Sequence, residues 1–384
     1  MRLKKINKLH KFIVNILGYL YIDWVVTSLA ILLSIGGIMT IYSATRTPLG
    51  ENQPEFYLKQ IVWLFIGLTL MFILSIIGYR RLQKLSSGIY VFAFALLVLT
   101  LLLGHTGMGA KRWLRIGPVN FQPSEILRLA TIITLASFFS RTTGPLRGKH
   151  ILAVFFLFIF LPALIYYYQP DLGSSILLAL VVITMILIKG IQKRLMFAIT
   201  ALTVLVALSL GPMAWNHLKP YQKNRIIAFI EPEADPTGIG YQIIQSKVTI
   251  GSGKWFGKGY LKGTQGPLRF LPERHTDFVF SVFAEEWGFM GSVILLIAYI
   301  MLIIRGFETA YYAKDSFGFY IASGISTMFL IYFTINLGMT MGLLPVVGIP
   351  LPFFSYGGTA LVVNYMAIGL LNSVRGSRGH LLYS

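Results

Sequence analysis

The 384-residue chain contains no cysteine. Disulfides, Fe–S clusters, thiolate zinc sites and cysteine nucleophiles are thereby excluded together. Charge is scarce as well. Only 12% of the residues are Asp, Glu, Lys or Arg, against 55% hydrophobic ones, where a soluble globular chain carries about 25% charged residues. Acidic residues are the rarest class, 14 against 33 basic, for a formal net charge of +19. The six histidines (10, 105, 150, 217, 275 and 380) are scattered without an HxxxH pair, which argues against a histidine metal site. This balance excludes a soluble enzyme, a disordered chain and a nucleic-acid-binding domain. What the chain has instead is long apolar blocks, the pattern of membrane spans.

A span needs roughly 20 apolar residues to cross about 30 Å of hydrocarbon. Ten stretches qualify: 24–45, 57–78, 86–104, 123–139, 151–168, 172–188, 195–215, 283–304, 317–341 and 357–374. The fold class expected is an all-α integral membrane protein of about ten transmembrane helices. The fifth and sixth spans are separated only by Gln169-Pro170-Asp171, so they form a tight hairpin or a broken re-entrant pair.

Ten spans place both termini on one side, and basic residues identify it. The tail 1–23 holds Arg2, Lys4, Lys5, Lys8 and Lys11, and alternate connections hold Arg80, Arg81 and Lys84, then Arg141, Arg147 and Lys149, then Lys189, Lys193 and Arg194. Arg305 with Lys314, and Arg375 with Arg378, complete the set. Basic residues collect on the cytoplasmic side, so both termini are expected there, in a multi-pass membrane protein. The tail also spaces Ile6, Leu9, Ile13, Ile16 and Leu20 between its lysines, a pattern suited to lying along anionic membrane lipids. The expected organisation is this amphipathic tail, a ten-helix membrane domain over 24–375, and a short cytoplasmic tail over 376–384. Within the domain, 216–282 forms a long extracytoplasmic loop, too rich in aromatics (Trp215, Tyr221, Tyr241, Trp255, Tyr260, Phe270) for disorder.

Several charges stand where topology does not ask for them. The external connection 105–122 carries Lys111, Arg112 and Arg115 around Trp113 with no acid. Snorkelling by long basic side chains accounts for such residues, and so does an anion site, most simply for phosphate. Gln122-Pro123-Ser124-Glu125 then opens a span, with Ser124 a candidate helix cap and Glu125 favourable near a helix N-terminus. Arg128 follows about one turn deeper, where an ionisable group is a functional candidate with Glu125 or Asp171 as partner. Asp171 itself can cap the sixth span, pair with a basic group, or do both.

The long loop ends in Pro272-Glu273-Arg274-His275-Thr276-Asp277-Phe278. If Pro272 begins a helical turn, Glu273 and Asp277 share a face. Thr276 or Asp277 could cap the eighth helix while Arg274 pairs with a headgroup. A carboxylate facing a cationic pocket is also how a general base is placed. Two more acids, Glu285 and Glu286, lie near the beginning of that span. Gly251-Ser252-Gly253-Lys254-Trp255-Phe256-Gly257-Lys258-Gly259 is not a nucleotide loop, because it lacks the early glycine and the Ser or Thr after Gly-Lys.

Four of these stretches, GAKRWLRIGPVNFQPSE, QPDLGSS, FLPERHTDFVFSVFAEEWGF and the later GIPLPFFSYGGT, occur in an order that closely resembles the SEDS family (shape, elongation, division and sporulation). PERHTDF resembles the RodA elongation branch more than the FtsW division branch, which usually has Ala where Arg274 stands. Arg128 departs from the Lys common after PSE, so a role needing a neutral amine does not carry over. The resemblance implies a peptidoglycan glycosyltransferase that polymerises lipid II on the extracytoplasmic face during cell elongation and shape maintenance. Its partners would be a class B penicillin-binding protein and the elongation machinery. It also implies Asp277 as the catalytic residue, tuned by Glu273. The substrate pyrophosphate would be held by Lys111, Arg112, Arg115, Arg128 and Arg274, with Trp113, Glu125, Asp171 and Glu286 as further site candidates. A divalent cation (Mg or Mn) bridging pyrophosphate and carboxylate is expected, and no organic cofactor. The rival reading is a flippase for lipid-linked precursors using the same charges as a polar track. No internal repeat of the kind transporters carry is visible, and the charges gather at one face.

Overall fold

The computed structural model describes residues 22–46, 54–107, 110–117, 119–192, 195, 197, 220–264 and 271–377. The amphipathic tail, nearly all of the seventh expected span and the last C-terminal residues lie outside the described residues. Three long helices come first: α1 (Trp24–Ala44), α2 (Pro54–Ile77) and α3 (Tyr79–Leu103). They are followed by α4 (Pro123–Arg141), α5 (Gly148–Tyr168, with a wide turn over Phe156–Phe160) and α6 (Leu172–Lys189). Two shorter helices, α7 (Pro220–Ile230) and α8 (Ile239–Ser252), occupy the long loop. The kinked α9 (Val279–Tyr311), α10 (Ser316–Thr340) and α11 (Gly358–Gly376) complete the bundle.

Seven of these helices are long and apolar enough to cross a membrane by length and composition: α1, α2, α3, α5, α6, α9 and α10. The other two of span length, α4 and α11, are more polar and run inside the bundle. Fourteen residues of each are buried, among them Glu125 and Arg128 on α4 and Asn364, Asn372 and Arg375 on α11. Polar groups of this kind are tolerated at membrane depth because neighbouring helices, not lipid, surround them. Helix α11 packs chiefly on α2, while α4 packs on α3 and α10. The fifth and sixth spans form a helical hairpin, with α6 against the middle and end of α5.

One end of the bundle is tied by ion pairs. Arg305 and Arg375 both reach Asp23 Oδ2, at 3.1 and 2.9 Å, joining the start of α1 to the ends of α9 and α11. Arg80 meets Asp315 at 2.9 Å, joining the starts of α3 and α10. Lys189, at the end of α6, donates to the Thr142 carbonyl after α4 at 2.7 Å. Among the described residues, Arg80, Lys189, Arg305 and Arg375 of those basic segments are thus each tied into helix ends.

The opposite end carries the irregular structure. The connection 105–122 is a small antiparallel sheet rather than a loop, with β1 (His105–Gly107), β2 (Ala110–Ile116) and β3 (Val119–Phe121) in that order. On β2, Leu114 turns inward while Lys111 and Arg115 stay exposed, the period-2 alternation of a half-buried strand. Between α10 and α11 the chain has no regular structure, yet Val346, Ile349, Leu351, Phe353 and Phe354 are buried. Non-helical backbone at this depth must be covered by protein. Small residues permit that cover: a Cβ on Gly37 would stand 2.4 Å from the Phe354 carbonyl oxygen, and one on Gly173 would stand 2.5 Å from that of Val347.

Candidate functional site

The stretch 271–278 is a run of turns against the largely buried segment 344–357, in which Gly348 is exposed. The Glu273 carbonyl accepts the amides of Thr276, Asp277 and Phe278 at 3.1–3.2 Å. Glu273 has φ +51°, in the left-handed region, so the turn does not begin as the right-handed helical one the spacing predicts. Neither Thr276 nor Asp277 caps α9, whose N-cap residue is Phe278 with no side-chain cap bond. The turn is instead held from outside. Asn336 donates to the Asp277 carbonyl at 3.0 Å and to that of Ile349 at 2.7 Å. Ser355 Oγ donates to the Thr276 carbonyl at 2.6 Å, and the Tyr356 amide to that of His275 at 2.9 Å.

The Asp277 carboxylate faces Gly348, whose Cβ, if it had one, would lie 3.3 Å from Oδ2. Gly348 has φ +75°, so both backbone and space require glycine there. Burial, reinforced by the negative charge of Glu273, pushes the Asp277 carboxyl up to about 7, against the opposing pull of Arg225, Arg112 and a hydrogen bond with Thr276. A carboxyl poised there can exchange a proton near neutral pH. His275 sits between Phe56 and Tyr356, ring centroids 4.6 and 5.8 Å away, and burial lowers its imidazole below the usual value. Glu273 Oε2 accepts from Thr276 Oγ1 at 3.0 Å.

Of the basic candidates, Arg112 reaches the site. Its guanidinium donates to the Pro170 carbonyl and lies 3.7 Å from Asp171 Oδ1. Asp171 also caps α6 by accepting the Ser174 amide at 3.2 Å, so capping and pairing coexist. Lys111 and Arg115 are exposed, with Arg115 Nε turned to the Gly117 carbonyl, and Trp113 is half-buried on the same strand. Arg274 donates to the Ala44 carbonyl at the end of α1. Arg128 is committed elsewhere: a two-pronged pair with Glu125 at 3.0 and 3.2 Å, buried in the bundle, with the Tyr332 ring 4.6 Å from the guanidinium carbon. Tyr332 donates to Glu125 at 3.0 Å. Ser124 is not the cap of α4; Gln122 holds that position, and Ser124 Oγ has no partner. Glu286 lies beyond Asp277 on α9, accepting from Ser43 Oγ and, at 3.1 Å, from the Leu261 amide.

Three contributors lay outside the sequence expectations: Arg225 on α7, Asn336 on α10 and Gly348. Arg225 carries the same signal as Arg112, a basic side chain in a connection assigned to the external side. Asn336 carries none, and Gly348 only its place at the head of GIPLPFFSYGGT, because the partners of a buried amide and of a left-handed glycine appear only once their neighbours are placed. Among the described residues no group of three or more His, Cys, Asp or Glu could hold a metal ion.

The FTSW_RODA_SPOVE family, described as cell cycle protein, matches residues 23–380. The chain is 41% identical over 355 residues to the peptidoglycan glycosyltransferase MrdB of Escherichia coli K12, covering 92% of this chain and 93% of that one. It is 33% identical to the peptidoglycan glycosyltransferase RodA of Treponema pallidum, covering 88% and 94%. Among solved structures, a chain of a peptidoglycan synthase complex that coordinates polymerization and crosslinking superposes with a TM-score of 0.77 at 33% identity, over 94% of this chain and 98% of that one. The rod shape determining protein RodA of Thermus thermophilus superposes at 0.67 with 28% identity over the same shares.

Proposed function

This chain belongs to the FtsW, RodA and SpoVE family of cell cycle proteins, and from that premise we propose that it polymerises lipid II into glycan strands as a multi-pass membrane peptidoglycan glycosyltransferase. The observation that carries the mechanism is the Asp277 carboxyl, pushed up to about 7 beside Arg112 and Arg225.

The growing glycan is an α-linked lipid diphosphate, and a β-1,4 product requires inversion at the reacting carbon. One base and one stabilised leaving group suffice. Asp277 takes the proton from the acceptor 4-hydroxyl as the oxygen attacks, and the pyrophosphate departs with the bond electrons. Glu273 keeps the Asp277 carboxyl basic through its negative charge. Arg112, with Lys111 and Arg115 on the same strand, offers charge-assisted hydrogen bonds to pyrophosphate. Arg225 joins them from α7, while Arg274 ties the turn to the end of α1. Arg128 and Glu125 act at a distance, by fixing α4 against α10 beneath the site. Asp171 holds Arg112, and Trp113 and Glu286 lie in the elements that surround the site.

A divalent cation, magnesium or manganese, fits the same reading: Asp171 Oδ2 is buried and without a partner, and hard cations take oxygen ligands. When bound, it would neutralise charge on the leaving pyrophosphate, with substrate oxygens supplying the remaining ligands. The site faces the extracytoplasmic side of a bacterial plasma membrane, and the ion-paired end with both termini faces the cytoplasm. A class B penicillin-binding protein of the elongation machinery crosslinks the strands made here. The deciding experiment incubates the purified chain and its cognate transpeptidase with labelled lipid II and resolves glycan polymer by length. Absence of polymer, with lipid II instead moved across proteoliposome bilayers, would replace this reading with the flippase.

A further inference from the structure

Helix α9 is broken at Gly288 (φ +68°, ψ −163°), and the glycine-rich segment 253–264 is built into the break. In an unbroken helix the amides of Phe289 and Met290 would bond to the carbonyls of Glu285 and Glu286. Here Phe289 donates to the Lys254 carbonyl at 2.8 Å and Met290 to that of Trp255 at 3.1 Å. The freed Glu285 and Glu286 carbonyls accept the amides of Lys258 and Gly259 at 2.9 and 3.0 Å. Four bonds to the segment thus stand where two ladder bonds would be. Glycine makes the approach possible: a Cβ on Gly257 would lie 2.1 Å from the Glu286 oxygen, and one on Gly253 would lie 2.0 Å from that of Ala284.

Side chains close the same clasp. Glu285, fully buried, accepts from Lys258 Nζ at 2.6 Å and from the amide and hydroxyl of Thr264, each at 2.9 Å. Glu286 accepts the Leu261 amide and reaches Ser43 on α1. A lysine–glutamate pair with its carboxylate buried and its lysine partly exposed is weak evidence for stability but can specify one arrangement over others. What it specifies is the stretch of α9 between the break and residue 279. That stretch is anchored at one end by the segment and runs at the other directly into Asp277.

We propose that the 253–264 segment is a strap that positions Asp277, with Lys258 and Thr264 as positioning residues acting through Glu285 and the first turns of α9. The proposal rests on the reading of Asp277 as the base. With the strap released, the first turns of α9 lose their fixed register and the partly buried Asp277 carboxyl loses its place against Gly348.

The test uses the full chain with its transpeptidase and labelled lipid II, comparing Lys258→Met, Thr264→Val and the severe variant Gly257→Ala. Misplacing a catalytic group by about 1 Å costs on the order of a hundredfold. Lys258→Met should therefore lose roughly tenfold or more in kcat with KM for lipid II nearly unchanged. The acid limb of its pH profile should move below 7, toward the ordinary carboxylate range. Lys258→Arg should restore both. A smaller active fraction with an unmoved acid limb would reduce the strap to packing and overturn the proposal. A second arm needs no activity. Asp277→Cys supplies the only thiol in the chain, and its alkylation by iodoacetamide should be several-fold faster with Lys258→Met than without. Equal rates overturn the strap. An inactive wild type overturns the assigned function, while the thiol rates still decide the strap.

Discussion

Arg112 on β2 lies 3.7 Å from Asp171, the cap of α6, with its guanidinium against the carbonyl of Pro170. The pair joins the small sheet to the α5–α6 turn and brings a positive charge within reach of Asp277. Neutralising Arg112 would remove the proposed phosphate contact and strand the buried carboxylate of Asp171. Arg112→Gln should reduce lipid II polymerisation by at least about tenfold, the effect of roughly one lost charge-assisted bond, and should lower Tm. Arg115→Gln, at an exposed position on the same strand, should weaken lipid II use by a clearly smaller factor, because a solvent-screened charge contributes less, and should leave Tm unchanged. Equal kinetics for the two variants would separate Arg112 from the site.

Asp277→Asn keeps the shape of the side chain and removes the base. Polymer formation should fall by about 10²–10⁴, the usual contribution of a positioned proton acceptor, with the protein still folded and membrane-inserted. In the wild type the rate should rise with pH to a plateau, half-maximal near 7, because the deprotonated carboxylate is the working form. Initial rates between pH 5.5 and 8.5 check both statements.

The same group makes stability depend on pH. Its folded value of about 7 lies above the ordinary 3.8, so the folded state holds a proton that the unfolded chain releases. The contribution is full below the ordinary value and is lost as pH rises through about 7. Asp277→Asn has no such loss. The Tm of the variant minus that of the wild type should therefore grow from pH 5 to pH 8; a constant difference would contradict the burial of this carboxyl.

Glu125 and Arg128 are a buried pair, and removing one partner leaves a charge in the bundle. Arg128→Met should destabilise by about 3–5 kcal/mol, and adding Glu125→Gln should recover much of that loss. Thermal unfolding in detergent measures both. Simple additivity of the two changes would count against the direct pair.

Orientation can be read by labelling. Lys262 and Lys84 are both exposed, one in the strap and one at the ion-paired end. A cysteine at Lys262 should react with an impermeant maleimide in spheroplasts, and one at Lys84 only after permeabilisation. The opposite pattern would invert the topology and move the site to the cytoplasm.

Among the described residues, the long apolar helices and the end at which the basic side chains gather were legible along the chain. Hydrophobic run length and loop charge are local properties, and the bilayer converts them directly into topology. Legibility failed where roles depend on partners distant in sequence. Arg128 reads like Arg112 until Tyr332 and Glu125 enclose it, and Ser124 reads as a cap although α4 begins differently. Two of the three strands in 105–122 have only three residues each, too short for a period-2 pattern to show along the chain.

By itself the sequence determined a many-spanning helical membrane protein with charges concentrated at two ends, and it pointed to Asp277. Tertiary structure alone decided which of those charges face the site, which are consumed inside the bundle, and why Gly253, Gly257 and Gly288 are glycine. The physical reason is range. Apolar periodicity and charge sign act within a helix or loop, whereas the setting of Asp277 comes from Asn336, Gly348, Arg112 and Arg225, which only the folded chain brings together.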